Sequence, residues 1–491
     1  MNNKEFSNKV MNASKWSLFT EISAKLIGPI SLIVLARFLT PDDFGVVTIA
    51  TMVISFTQIF MNSGLHKALI QTEEVEHKIE DIASVTFWAN IGLSICIFLV
   101  IFFIADPLSS ILNEPRTANV IKVLAFQIIL SALGLVQTAL FQRELKFEKL
   151  FWVRIVTVVA PTVLSIPLAI YGMGYWAIVG GQIFGSLANT IVLWFITKWK
   201  PSLFFDYKIF KKLFSFGYLS IIEGIVGWLI IWLDVLIIGI YFSTNEIGLY
   251  RTASSFVNSV MLLLVSPIVP VLYSSLSRIQ NNDDMFKNYF LQAQKLVFFI
   301  SVTLGVIFLL FGELIGNIIY GSNWEGIGWI ISILGIAYGF KALSSLNGEA
   351  YRAKGKPGIN ASIMLINLII YIPAYIFAGK LGLLNFVVAK AILMNFPQPI
   401  WHFYFSNKIF NVGFKDVFRN IKFIFLSGTI ITFLIIVYYY FFDGFSLFRN
   451  TFIFPILFLL YLICLLPEKK FIINTVHFIK KTFLKNKQKL G

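Results

Sequence analysis

The 491-residue chain is 57% hydrophobic and 13% charged, with a mean hydropathy of +0.80, whereas soluble domains carry about 25% charged residues. That balance excludes an ordinary soluble fold. The formal charge of +15 does not point to a nucleic-acid binder, because no stretch is polar enough to form a soluble basic domain.

Cys96 and Cys464 each fall inside an apolar run, so neither a disulfide framework nor a zinc site is expected. No catalytic residue, metal ligand or cofactor is assigned. The polar start, 1–14, leads into an apolar run without an A-x-A-like cleavage site and is read as preceding a retained first span.

A spanning helix needs about 20 mostly apolar residues, which gives about fourteen segments. They lie at 15–39, 44–63, 82–105, 119–141, 151–171, 174–197, 213–240, 249–273, 291–311, 324–343, 359–379, 382–405, 421–442 and 449–466. Lys and Arg collect in alternate connections. Lys4, Lys9 and Lys15 precede the first span, and the even connections hold groups such as Arg143, Lys146 and Lys149, or Lys341, Arg352, Lys354 and Lys356. The odd connections hold only Arg116, Lys380 and Arg449, with Arg37, Lys122 and Arg251 at adjoining helix ends. Positively charged loops stay in the cytoplasm, so both termini are expected there.

An internal repeat accompanies this pattern. Arg37-Phe-Leu-Thr-Pro-Asp-Asp-Phe-Gly45 follows the first span and Ile240-Tyr-Phe-Ser-Thr-Asn-Glu-Ile-Gly248 follows the seventh, aligning Thr40 with Ser243, Asp43 with Glu246 and Gly45 with Gly248. Further on, "GYWAIVGGQI" from Gly174 aligns with "GLLNFVVAKA" from Gly382. The expected fold is therefore an all-α polytopic membrane protein with two pseudo-symmetric six-helix halves, 1–197 and 198–405, related as parallel repeats. Two further helices occupy 406–466. The tail 467–491 places Ile472, Val476, Ile479 and Phe483 on one stripe amid lysines, the pattern of an amphipathic helix on an anionic membrane surface.

Local chemistry assigns the first signature turn a structural task. Thr40 is a good N-cap, Pro41 suits the first helical position, and Asp42 and Asp43 favour the positive helix start. Ser243 to Glu246 repeats this as a capping box. Arg37 either pairs with Asp43 or lines the outward mouth.

Candidate working residues are the ionisable groups inside spans, where a charge costs about 2.5–3.5 kcal/mol at a helix centre and so needs a partner or a cavity. Glu21 and Lys25 share one face of the first span, followed by Gly28-Pro29 as a bending point. Glu223, Gly227 and Asp234 fall on one face of the seventh span, a candidate proton or cation site. Lys390 sits near the middle of the twelfth, where the repeat places Gln182, and its ammonium calls for an anion or water. Arg154 lies one turn into the fifth, and Pro161, Pro167, Pro267, Pro270, Pro373, Pro397 and Pro399 suit bent helices around a cavity.

"LARFLTPDDFGVVTIA" from Leu35, "LFQRELKF" from Leu140, the span number and the basic tail together resemble the bacterial polysaccharide-export flippases, the O-antigen and capsule repeat-unit translocases of the multidrug/oligosaccharidyl-lipid/polysaccharide exporter superfamily. The resemblance implies transfer of a polyprenyl-diphosphate-linked oligosaccharide from the cytoplasmic to the outer leaflet of the inner membrane by alternating access. Without a motif for ATP hydrolysis, the energy is expected from an ion gradient, H+ or Na+, or from substrate flux, and polysaccharide polymerase and glycosyltransferase partners are expected. In that frame Lys390, with Lys25 or Arg154, holds the diphosphate beside Gln182, and Glu21, Glu223 and Asp234 are the coupling candidates.

Two other readings stay open. A multidrug extruder of the same superfamily would use a compact acidic site for an organic cation. A membrane-embedded polymerase or ligase would need a long outer loop, while the outward connections here are about a dozen residues or fewer and carry no DxD, H-E-x-x-H or Walker arrangement.

Overall fold

A computed structural model gives the fold and describes residues 16, 20, 27–62, 66, 69–70, 78–441, 447–471 and 473. Glu21, Lys25 and the tail stripe at 472, 476, 479 and 483 lie outside these residues. All regular structure among the described residues is helical: α1 (Ile27–Ala36), α2 (Pro41–Asn62), α3 (Ile79–Ile111), α4 (Arg116–Leu124), α5 (Phe126–Arg143), α6 (Phe147–Ile170), α7 (Tyr175–Ile196), α8 (Tyr207–Tyr241), α9 (Thr244–Val265), α10 (Ile268–Arg278), α11 (Asp283–Ile319), α12 (Ile327–Lys341), α13 (Asn347–Ala353), α14 (Gly358–Gly379), α15 (Leu383–Asn395), α16 (Pro397–Phe410), α17 (Phe414–Phe441) and α18 (Leu447–Cys464).

Twelve helical stretches among the described residues are long and apolar enough to cross a membrane. The shorter apolar helices Ile27–Ala36 and Ile453–Cys464 fall within the first and last expected segments. Three expected spans are each built from two helices. The fourth breaks at Ala125, the eighth at Ser266-Pro267 and the twelfth at Phe396-Pro397. Proline lacks the N–H that would continue the ladder and its ring crowds the preceding turn, which accounts for the last two breaks. Pro161, Pro167 and Pro373 remain inside α6 and α14.

The chain forms two compact units, 1–252 and 253–491. In the first, α6 lies against α7, α5 against α3 and α7, and α2 against α4 and α8. In lipid, apolar side chains gain little by meeting one another, so close backbone approach carries helix association. The α6–α7 pair shows it: a methyl group at Gly185 would fall 2.4 Å from the Pro161 ring.

The second unit centres on α11, which packs on α12 and α17. A methyl group at Gly312 would fall 2.7 Å from the Gly328 carbonyl oxygen, and one at Gly339 would fall 2.9 Å from that of Ser301. Phe286, Phe290, Phe298, Tyr351, Phe410 and Tyr461 fill the core of this unit and are fully buried. Outward-facing apolar side chains such as Val100, Phe103, Phe195, Ile369 and Ile436 are exposed, as a surface against lipid tails requires.

Helix ends repeat their chemistry along the chain. Gly174 (φ 54°) and Gly382 (φ 98°), aligned in the repeat, both precede a helix start. After α5, Lys146 N–H donates to the Phe141 carbonyl (2.9 Å) with Leu145 at φ 58°; after α13, Lys356 N–H donates to the Tyr351 carbonyl (2.8 Å) with Gly355 at φ 70°. Both are six-residue helix-closing turns of the same form. One uses glycine where the left-handed conformation demands it, and the other forces a leucine into it.

Candidate functional site

The two signature turns start helices through reciprocal caps. Asp43 Oδ2 accepts from the Thr40 backbone N–H (2.9 Å) and hydroxyl (2.8 Å), and the Asp43 N–H donates back to Thr40 Oγ1 (3.3 Å). In the second copy Glu246 Oε2 accepts from the Ser243 N–H (3.0 Å) and hydroxyl (2.8 Å). The acid in the fourth box position satisfies donors that a helix start leaves without partners.

These turns also lie directly against each other within the first unit. A methyl group at Gly45 would fall 1.8 Å from the Thr244 carbonyl oxygen, and one at Gly248 would fall 1.8 Å from the Pro41 carbonyl oxygen. The contact is reciprocal: each copy's glycine receives the other copy's backbone. Both glycines are buried, and the α6–α7 turn seats beside them, since a methyl group at Gly174 would meet Asp43 Oδ1 at 2.9 Å.

Asp42 leaves its own helix start to bridge this contact. Its carboxylate accepts from the Thr244 hydroxyl and from both terminal nitrogens of Arg116, at 2.7 and 3.0 Å. The same guanidinium holds Glu114 through Nε (2.7 Å) and Nη2 (2.8 Å) and donates to Thr244 Oγ1 (3.2 Å). Fork-to-fork pairing with two carboxylates uses the arginine geometry fully. The Arg116 guanidinium holds the Glu114 carboxyl below its ordinary value of 4.5.

With the Arg116 and Asp42 side chains 43% and 36% exposed, each ion pair alone is worth about 1 kcal/mol or less. The clasp of turns is thus held by a few separable polar contacts. Arg37 is exposed beside it.

A sequence profile for polysaccharide biosynthesis proteins matches residues 34–328, more than half of the chain and including both signature turns. The chain belongs to the polysaccharide biosynthesis protein family. Among relatives, it is 23% identical to the lipopolysaccharide biosynthesis protein WzxC of Escherichia coli (strain K12) over 76% of both chains. It is 24% identical to the succinoglycan biosynthesis transport protein ExoT of Rhizobium meliloti (strain 1021), over 66% of this chain and 65% of that one. Among solved structures, the lipid II flippase MurJ in an inward closed conformation superposes with a TM-score of 0.72 at 15% identity, covering 95% of this chain and 99% of that one. That likeness is one of fold.

The remaining candidates of this family member separate by environment. Lys390 is 7% exposed within α15 and is engaged by neighbouring groups. Its repeat counterpart Gln182, on α7, accepts from Gln127 Nε2 at 3.4 Å, while Arg154 is exposed on α6.

On α8, Glu223 is exposed and Asp234 is buried, so the two carboxylates of one helix meet different surroundings. Asp234 accepts from the Tyr250 hydroxyl at 2.5 Å, and Arg251 lies over the Trp232 ring at 4.2 Å. Among the described residues, no group of three or more His, Cys, Asp or Glu side chains is placed to hold a metal ion.

Sequence reading counted Arg116 only as a loop charge and did not single out Glu114 or Thr244. Arg116 and Asp42 are 74 positions apart. The available signal was the pair of signature copies itself, since two aligned glycines in matched turns invite a mutual contact.

Proposed function

We propose that this protein is a flippase moving a polyprenyl-diphosphate-linked oligosaccharide from the cytoplasmic to the outer leaflet of the inner membrane for cell-surface polysaccharide synthesis, by alternating access. Membership of the polysaccharide biosynthesis family and relatives named for lipopolysaccharide biosynthesis and for succinoglycan biosynthesis transport support a glycan substrate over an organic cation. The observation that carries the mechanism is the clasp. The second membrane helices of the two copies of the repeat meet through bare glycines and one arginine-centred polar cluster, an arrangement suited to closing and reopening.

The loop charge pattern assigns this clasp to the outward rim and both termini to the cytoplasm. Lys390, with Lys25 or Arg154, neutralises the diphosphate, whose transfer through an apolar medium would otherwise be prohibitive. The polyprenyl chain stays in lipid. Glu21, Glu223 and Asp234 are the groups through which H+ or Na+ resets the cycle, and the substrate passes from glycosyltransferases to a polymerase.

The test replaces Lys390 and Lys25 together with alanine and compares surface polysaccharide with the parent chain at matched protein level, in a host lacking its own repeat-unit flippase. Loss of export with accumulation of the lipid-linked unit is expected. Unchanged export sinks the assignment of these lysines, and an inert parent chain sinks the flippase reading.

A further inference from the structure

Helix α10 is separated from α9 by the break at Ser266-Pro267 and buries Leu272 and Leu276 in the second unit. Its opposite face lines a shallow, open surface depression formed by Pro270, Val271, Ser274, Ser275 and Arg278. The spacing of these positions places all five on one helical stripe. Polarity changes along that stripe, from Pro270 and Val271 to the two hydroxyls and the guanidinium, over about 12 Å of helix.

Arg278 and the two serine side chains make no hydrogen bond or ion pair among the described residues. Several other basic groups of this unit are paired with carboxylates. Lys287 pairs with Asp416 (2.9 Å), Lys295 with Glu468 (2.7 Å) and Lys354 with Asp283 (2.6 Å). A surface depression with an apolar half and a cationic, hydroxyl-bearing half matches a lipid that carries a phosphate. A helix C-terminus repels anions, so binding rests on the guanidinium rather than on backbone dipoles.

We propose that this α10 face is a docking subsite for the lipid-linked substrate before transfer. Arg278 takes the diphosphate, Ser274 and Ser275 donate to its free oxygens, and Pro270 and Val271 receive the first isoprenyl units. The proposal rests on the flippase reading for its ligand, and the loop charges put the Arg278 end on the cytoplasmic side, where such a substrate is made.

The full chain, purified in detergent, is titrated with farnesyl diphosphate, farnesol, inorganic diphosphate and short-chain phosphatidylglycerol. The subsite predicts that farnesyl diphosphate binds best and that Arg278→Gln weakens it about tenfold. Arg278→Lys should recover part of the loss, Ser274→Ala with Ser275→Ala should weaken binding less, and farnesol binding should not change. Arg278 is exposed, so an intact thermal transition is expected in each variant.

Unchanged farnesyl diphosphate affinity in Arg278→Gln overturns the subsite even if the chain exports polysaccharide. Equal binding of phosphatidylglycerol overturns its assignment to the substrate. Arginine-dependent binding by a chain that fails to export supports the subsite while defeating the flippase reading.

Discussion

Replacing Gly45 or Gly248 with alanine tests the clasp where its geometry is tightest. The added methyl group would stand 1.8 Å from a backbone oxygen, whereas ordinary contact begins at 3.4 Å, so the two helix starts must part by about 1.5 Å, an overpacking that costs about 1–3 kcal/mol. Alanine also improves the helix by about 1 kcal/mol, but that gain applies whether the clasp is closed or parted. The state-selective term is the clash, which raises the parted fraction by about 5–150-fold.

The readout is labelling of a single cysteine at Ile247, which is buried beside Gly248 in the closed clasp, by a membrane-impermeant maleimide, in a chain whose Cys96 and Cys464 are serine. Gly45→Ala and Gly248→Ala should label at least about fivefold faster and export less polysaccharide at matched protein level. Unchanged labelling with normal export would refute a rim that closes through these glycines.

Further outcomes follow from the same contacts. Arg116→Met removes the bridge between Asp42, Glu114 and Thr244 and should likewise speed labelling at position 247, with Arg116→Lys intermediate because a lysine cannot pair with two carboxylates fork to fork. Glu114 has a lowered folded-state value, so its contribution is fully present above its ordinary value and is lost as the medium acidifies through the lowered one. The thermal midpoint of the purified chain should therefore fall as the pH drops below the ordinary carboxylate range, and Glu114→Gln should remove part of that dependence. Leu145→Gly relieves a left-handed leucine, as Gly355 does in the matching turn, and should raise stability by about 1 kcal/mol in thermal unfolding of the purified chain. An unchanged or lower midpoint contradicts that reading.

The sequence revealed most of what depends on neighbours along the chain. The spans follow from apolar runs, and the caps at Thr40-Asp43 and Ser243-Glu246 follow from local side chain to backbone chemistry. What it concealed depends on approach through space. Nothing around Arg116 announces Asp42 as its partner, because the two meet only once α2, α4 and α9 are packed. Spacing put Glu223 and Asp234 on one face of α8, but the neighbouring helices decide that one is exposed and the other buried. Lys390 was legible as a charge in an apolar run, and its burial within α15 agrees with a group that needs partners.

The central claim is transfer of a glycan on a polyprenyl diphosphate, and reconstitution measures it most directly. Vesicles containing the purified chain, loaded in one leaflet with a fluorescent polyprenyl-diphosphate oligosaccharide, should expose the glycan to an impermeant glycosidase on the other side with time, and Lys390→Ala should slow this. Exposure no faster than in protein-free vesicles, with uptake of an organic cation by the same vesicles, would contradict the account.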